Sequence, residues 1–270
     1  MFYFILKKNV AFMILNGILG YPLKRPRSIK IWKKYFEENK INARMLKFEI
    51  FSKDLKNFFS NIKMNKNFKA MAITMPYKTA VIKYLDSLDN ISQKAQSVNL
   101  VVKKKNKLVG FNTDIFGAIN SLKVFLNKYD QIIIIGLGGT GQAIFHYLVS
   151  KYKKKKFFLI SKKFNLKKKK KKIKIRRFIN KELISSSALI VNCTPLGSNL
   201  KKKYINKLPI KKSTLHFINK KSVIFDVIYS PKKTLLSKYC SRKKIKYING
   251  VKMNTLQAQK ALQITFGSKI

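Results

Sequence analysis

Gln131-Ile-Ile-Ile-Ile-Gly136-Leu-Gly138-Gly139-Thr-Gly141 is the stretch that decides the fold. Four consecutive isoleucines form an apolar run with no alternation, the pattern of a strand buried on both faces of a parallel sheet. The glycines follow at once, and Ala143, Ile144, Tyr147 and Leu148 then recur at helical spacing. Strand, glycine turn and helix N-terminus in that order make the fingerprint of a dinucleotide site. The first glycine makes the tight turn. The second lets backbone N–H groups approach a pyrophosphate, and the third lets helix and strand pack closely. Gly136, Gly138, Gly139 and Gly141 are therefore candidate cofactor-binding residues.

Downstream, apolar runs at Phe157 to Ile160, Ala188 to Val191 and Val223 to Val227 continue a βα series. A helix is expected from Asn254 to Phe266. A site for NAD needs Asp or Glu at the end of its second strand to hold the ribose. Between Gln131 and Lys181 there is no acid, and the second strand ends in Ser161-Lys162-Lys163. A cation there suits a 2′-phosphate, so the expected cofactor is NADP, with Lys162 as a candidate contact. Upstream, strands are expected at Ile14 to Gly20, Met45 to Ile50 and Ala70 to Thr74, with Val98 to Lys103 and Leu108 to Phe111 after them. Helical spacing follows Ser28, a candidate cap, and recurs from Leu55 to Ile62. Pro76 stands where the first turn of a helix tolerates proline, and Asp114 opens another helical pattern. The alternation specifies an α/β protein.

The chain has 270 residues, with 60 Lys plus Arg against 10 Asp plus Glu, a formal net charge of +50. Such a charge first suggests a polyanion partner. A hydrophobic fraction of 46% and an aromatic fraction of 12% exclude a disordered basic tail. The surplus of Lys, Asn, Ile, Phe and Tyr is what an AT-rich coding sequence produces. The runs Lys153 to Lys156 and Lys167 to Lys172 read as solvated faces, and no nucleic-acid partner is expected. Two His and two Cys without ligand spacing exclude a zinc site, and no acid cluster resembles a metal cage. No metal is expected, and two isolated cysteines fit a reducing, cytoplasmic compartment. The apolar N-terminus is broken by Lys7 and Lys8 and is too short to span a bilayer, so no membrane association is expected.

Three further stretches stand out before the glycines: Ile73-Thr-Met-Pro-Tyr-Lys78, Ser97-Val-Asn99 and Phe111-Asn-Thr-Asp114. After them come Val191-Asn-Cys-Thr-Pro-Leu-Gly197, Phe225-Asp-Val-Ile-Tyr-Ser-Pro-Lys-Lys-Thr-Leu235, and Gly250-Val-Lys-Met253 with Gln257. In this order, and with the glycine loop, they resemble the motif series of the shikimate dehydrogenase family. The resemblance implies an N-terminal α/β substrate domain plus a Rossmann-type doubly wound parallel-sheet domain. The expected boundaries are 1–114, completed by 250–270, for the substrate domain and 115–249 for the NADP-binding domain. It implies interconversion of 3-dehydroshikimate and shikimate with NADP, on the route to chorismate and the aromatic amino acids.

Reduction of a ketone needs a proton donor at the developing alkoxide. The resemblance makes Lys78 that donor and Asp114 the group that holds it. It makes Ser28, Thr74, Asn99, Tyr229 and Gln257 contacts to a cyclic polyol carboxylate, and adds Thr194 and Gly250 to the cofactor residues. The family's early G-x-P-I-x-H-S-x-S-P is altered here to Gly20-Tyr-Pro-Leu-Lys-Arg-Pro-Arg-Ser-Ile29. Pro26 takes the place of the first serine, Arg25 and Arg27 lie beside it, Ala72 replaces the Asn of N-V-T, and Ser198 replaces a Met. These departures keep open a substrate such as quinate, an aminoshikimate or another cyclic polyol acid. The charge keeps open a catalytically weak cationic binding protein on the same fold. A monomer and a homodimer both fit the sequence.

Overall fold

The computed structural model describes residues 13–23, 26–161 and 173–267. Lys24, Arg25, Lys162 and the run Lys167 to Lys172 lie outside the described residues. The chain divides into two compact units: one up to Thr113 together with the residues from Thr255 onward, the other Asp114–Asn254. Asp114 and the first turn of the C-terminal helix thus fall with the second unit, not the first.

The first unit is built on β1 (Ile14–Gly20), α1 (Arg27–Glu38), β2 (Ala43–Glu49), α2 (Leu55–Met64), β3 (Phe68–Ile73), β4 (Ser87–Leu88), α3 (Asn90–Ala95), β5 (Leu100–Lys104) and β6 (Lys107–Phe111). Its sheet runs β2-β1-β3-β5-β6-β4. β1 is parallel to β2 and β3, whereas β3, β5 and β6 are antiparallel in succession. Alternate residues serve opposite faces, as a strand's period of two requires. Leu19, Met71 and Val101 face a cluster with Phe58, Phe59 and Ile62 of α2. Ile18, Ala70 and Leu100 face Trp32 and Phe36 of α1 and Ala261 and Leu262 of the C-terminal helix, Val251–Phe266.

Two local expectations are corrected. Ser28 is not a cap: α1 begins at Arg27, Pro26 occupies the cap position, and Ser28 is buried in the first turn. The Pro26 ring holds φ at −69° and its carbonyl accepts the Ile29 N–H at 3.3 Å, which starts the helix early. No helix begins at Pro76 either. The Lys78 carbonyl is taken by the Val98 N–H at 2.7 Å and so is withdrawn from any helical ladder. The segment turns, with Tyr77 N–H on Thr74 O at 3.0 Å, and ends in a short 3₁₀ turn at Ile82–Tyr84.

The second unit comprises α4 (Asp114–Leu126), β7 (Gln131–Ile135), α5 (Gly139–Lys151), β8 (Lys156–Ile160), β9 (Ile173–Arg176), α6 (Lys181–Ser185), β10 (Leu189–Asn192), α7 (Lys212–Leu215), β11 (Val223–Asp226), α8 (Leu235–Arg242) and β12 (Lys246–Ile248). All its strands are parallel, in the order β9-β8-β7-β10-β11-β12. That is a doubly wound sheet whose strand order reverses between β7 and β10. Ile132 and Ile134 face Leu122, Leu126, Ile144 and Leu148. Ile133 and Ile135 face the opposite layer, with Leu183, Leu215, Leu236 and Cys240. The isoleucine run is therefore buried on both sides, each side chain contributing roughly 1.5–3 kcal/mol by burial. Periodicity overlooked β9 and β12 because Ile173-Lys-Ile-Arg176 and Lys246-Tyr-Ile248 are cationic edge strands with little buried surface. Among the described residues no helix is long and apolar enough to cross a membrane.

Candidate active-site residues

The glycine loop leaves the C-terminal end of β7 at the reversal point of the sheet. Gly136 sits at φ +88°, and a Cβ there would lie 2.7 Å from Thr194 Cγ2 on the neighbouring loop after β10. Glycine is needed for both reasons. Gly141 packs its Cα against the Gly136 carbonyl oxygen, leaving no room for a side chain. Gly139 opens α5, and Gly138 occupies its cap position with no side-chain cap. A Cβ on Gly138 would meet nothing within 4 Å. The protein itself has no need of glycine at Gly138, but an anion approaching the open N-terminus of a 13-residue helix does. The loop therefore fits a dinucleotide pyrophosphate.

Thr194 is held from below. Its N–H and Oγ1 both donate to Asn192 Oδ1, at 3.0 and 2.7 Å. Asn192 Nδ2 in turn donates to Asp226 Oδ1 at 3.0 Å, which also accepts the Ile228 N–H at 3.1 Å. Tyr247 of β12 donates to Asp226 Oδ2 at 2.9 Å, and its hydroxyl lies 3.3 Å from Thr234 Oγ1, the cap of α8. Asp226 is completely buried. Burial pushes its carboxyl up to about 6, against the opposing pull of these three donors. Burial, then the Asp226 charge, raises the Tyr247 hydroxyl, and the same two causes push the Cys240 thiol up to about 12. Cys240 is a packing residue, not a nucleophile.

Asp114 is the first residue of α4, buried, where a carboxylate suits the helix dipole. Its Oδ2 accepts from Thr140 Oγ1 at 3.1 Å, tying it to the glycine loop. Tyr229 is half-buried on the loop after β11. Gly250, just before the C-terminal helix, packs directly on the Val227 backbone, so close packing alone accounts for its lack of a side chain.

In the first unit, Asn99 and Thr113, both buried, form a polar cluster with half-buried Gln257. Asn99 Oδ1 accepts the Thr113 N–H at 2.6 Å, and Asn99 Nδ2 donates to Thr113 Oγ1 at 2.9 Å and to Gln257 Oε1 at 3.3 Å. Thr113 Oγ1 donates to Gln257 Oε1 at 3.2 Å. The Asn99 backbone is pinned between strand ends, to Ile73 N–H at 2.8 Å and Phe111 O at 3.0 Å. Thr74 directly follows β3 with its N–H on Leu19 O at 2.8 Å, and half-buried Lys78 follows in the turn. Of the residues expected from sequence, Asn99 and Gln257 come together in the first unit, and the glycine loop, Thr194 and Asp114 in the second. Lys162 is outside the described residues. Sequence reasoning passed over Thr113, Thr140 and Asn192, although all three lie inside the quoted motifs. Their signal was a small polar residue at a strand end or helix start, a type that usually serves a local turn. Among the described residues there is no group of three His, Cys, Asp or Glu able to hold a metal ion.

A Rossmann-type doubly wound unit with a glycine loop at its switch point, joined to a mixed-sheet unit, defines a class of two-unit α/β proteins. The comparisons narrow it. The profile of the shikimate dehydrogenase substrate binding domain matches residues 18–101. The NADP(+) shikimate dehydrogenase of Clostridium botulinum is 31% identical over 93% of this chain and 95% of its own length. That of Pyrococcus furiosus is 31% identical over 94% and 91%. The crystal structure of shikimate dehydrogenase from Aquifex aeolicus superposes with a TM-score of 0.81 at 28% identity, covering 96% of this chain and 95% of that one. The chain belongs to the shikimate dehydrogenase family.

Proposed function

We propose that this chain is an NADP-dependent oxidoreductase interconverting 3-dehydroshikimate and shikimate. The observation that carries the reading is membership of the family across nearly the whole chain, with Lys78, Asp114 and the glycine loop retained. Residues 115–249 serve NADP, and residues 1–114 with 250–270 serve the substrate. When bound, the reduced cofactor supplies a hydride to the carbonyl carbon. The Lys78 ammonium donates a proton to the carbonyl oxygen as the alkoxide develops, and regains it in the reverse direction. Asp114 balances the Lys78 charge. Ser28, Thr74, Asn99, Tyr229 and Gln257 bind the polyol acid's oxygens. Gly136, Gly138, Gly139 and Gly141 would cradle the pyrophosphate, Thr194 and Gly250 would hold the rest of the cofactor, and Lys162, which lies outside the described residues, is the candidate for the 2′-phosphate. The absence of any acid between Gln131 and Lys181 supports NADP over NAD. The test is formation of NADPH from shikimate and NADP(+), with NAD(+) in parallel; stronger turnover with NAD(+) overturns the cofactor assignment.

A second reading concerns the substrate alone. Pro26, at the cap of α1, has no hydroxyl where the family's first serine stands, so the carboxylate end of the site is altered. Quinate or another cyclic polyol acid is then the substrate. A panel containing shikimate and quinate separates the two: turnover of quinate without shikimate selects the second.

A further inference from the structure

We infer that Arg176, the last residue of β9, is a specificity-determining residue for the cofactor: it receives the 2′-phosphate that distinguishes NADP from NAD. The inference rests on the proposed use of NADP and adds to it a residue that no motif contains.

In a Rossmann-type unit the ribose that carries the distinguishing group lies at the C-terminal end of the second strand, here β8. β9 runs parallel beside β8, with Arg176 level with Ile160. The Ser161 N–H donates to the Arg176 carbonyl at 3.1 Å. Arg176 is therefore the neighbour of the β8 end across the sheet. Its side chain is held there at two points. Nη1 donates to Asn180 Oδ1 at 3.0 Å, and the guanidinium carbon lies 5.8 Å from the centre of the Phe158 ring on β8. Asn180 cannot turn its amide end for end, because the same oxygen accepts the Leu183 N–H at 3.2 Å. Arg176 is half-buried, whereas Arg177, the next residue, is exposed. This anchoring sets Arg176 apart from the cationic background of the chain.

The guanidinium has no protein counter-ion. Among the described residues no carboxylate forms an ion pair with Arg176. Glu182 instead accepts from Asn180 Nδ2 at 3.5 Å. Residues 162–172, between β8 and β9, include no Asp or Glu. A guanidinium carries five N–H donors in a planar fork, and Asn180 takes one. The rest of the fork matches the oxygens of a phosphate and adds a fixed charge that lysine cannot orient. A neutral ribose hydroxyl gains far less from it.

Arg176→Gln removes the charge and the fork, and Arg177→Gln removes an equal charge one residue away. Both are titrated by calorimetry with NADP(+) and with NAD(+), no substrate being present. Affinity for NADP(+) should fall about tenfold or more in Arg176→Gln, the order of a lost hydrogen-bonded charge pair, with NAD(+) within about twofold of the parent. Arg177→Gln should leave both affinities within about twofold, and Arg176→Lys should recover part of the loss. An equal fall for both cofactors in Arg176→Gln overturns the inference by making Arg176 a support of the fold. An equal loss of NADP(+) affinity in Arg177→Gln overturns it by showing that net charge alone is read. A parent that prefers NADP(+), with an Arg176→Gln variant that keeps the preference, overturns the inference and leaves the proposed cofactor standing. A parent that binds NAD(+) as tightly as NADP(+) rejects both.

Discussion

The two units each bury a polar cluster at a sheet end, and the clusters are chemically opposite. Asn99, Thr113 and Gln257 are all neutral, and their bonds are the same at any ordinary pH. Asn192, Asp226 and Tyr247 are organised around a carboxylate with no exposed surface. A neutral cluster is rigid at little electrostatic cost. A buried acid binds its donors more strongly but carries a desolvation penalty that changes with pH. On the proposed reading the neutral cluster belongs to the substrate side and the acid-centred one to the cofactor side, so variants in the two units should separate cleanly.

The largest effect should come from Lys78→Ala. Loss of the proton donor should lower kcat by about 10²–10⁴-fold, while NADP affinity, measured by fluorescence titration, stays unchanged. A kcat within threefold of the parent would remove Lys78 from the chemistry. A fall in NADP affinity of similar size would break the division between the units.

Next in size is Gly138→Ala, the mirror test on the cofactor side. The added methyl group enters open space, and φ of −72° is one that alanine adopts freely. The melting temperature should hold or rise, since alanine in place of glycine stabilises by about 0.4–1 kcal/mol where the backbone permits. NADP affinity should nonetheless fall about tenfold or more, because the methyl group occupies the approach of the pyrophosphate. Gly141→Ala should do the reverse and lower the melting temperature, since its Cβ collides with the Gly136 carbonyl. Gly138→Ala with unaltered NADP binding would show that the open space is not where the phosphates lie.

A smaller effect distinguishes the clusters by titration. Asp226 is shifted from 3.8 to about 6, so it holds its proton more readily folded than unfolded. Its contribution to stability is fully present below about pH 4 and is lost as pH rises through 6. The loss is about 3 kcal/mol at neutral pH, from a shift of about two units. Asp226→Asn cannot ionise, and Tyr247 can turn its proton to Thr234. The stability difference, Asp226→Asn minus parent, should therefore grow in favour of the variant between pH 4 and 7 in urea titrations. A difference that stays constant would mean Asp226 is not carrying that penalty. Asn99→Ala, in the neutral cluster, should show no such slope.

The contrast between the units also explains what the sequence could disclose. The second unit was readable because its signals are local: four isoleucines buried on two faces, then glycines at fixed spacing. Five of the first unit's six strands were readable too, but the two-residue β4 and the hydrogen bonds of its cluster were not. Asn99 and Gln257 are 158 residues apart, and no periodicity brings them together. Ser28 and Pro76 misled because a competing backbone group won. The Pro26 carbonyl started α1 early, and Val98 took the Lys78 carbonyl that a helix would have used. Strands β9 and β12 were hidden by the cationic background, which places lysine even on sheet edges. The net charge of +50 was the most conspicuous number and the least informative. The scarcity of acids did better, since the acid-free stretch between Gln131 and Lys181 pointed to NADP.

The smallest effect turns on the acid that titrates the opposite way. Asp86 receives the Lys63 ammonium at 2.5 Å and the Leu108 N–H at 2.7 Å. The Lys63 hydrogen bond first, then the Leu108 N–H, holds its carboxyl below the ordinary value. The stability Asp86 contributes is present above about pH 4, its unfolded value, and is lost as pH falls through its lower folded value. Lys63 is 44% exposed, so screening by water keeps the pair weak. Lys63→Gln should cost less than about 1 kcal/mol at pH 7, and less again at high salt. Below the folded pKa of Asp86 the cost should vanish. Asp86 and Asp226 thus give stability–pH slopes of opposite sign because one carboxylate faces a cation at the surface and the other is enclosed by neutral donors. A Lys63→Gln cost that persists undiminished into acid would place the Lys63 contribution in its alkyl packing, not in its charge.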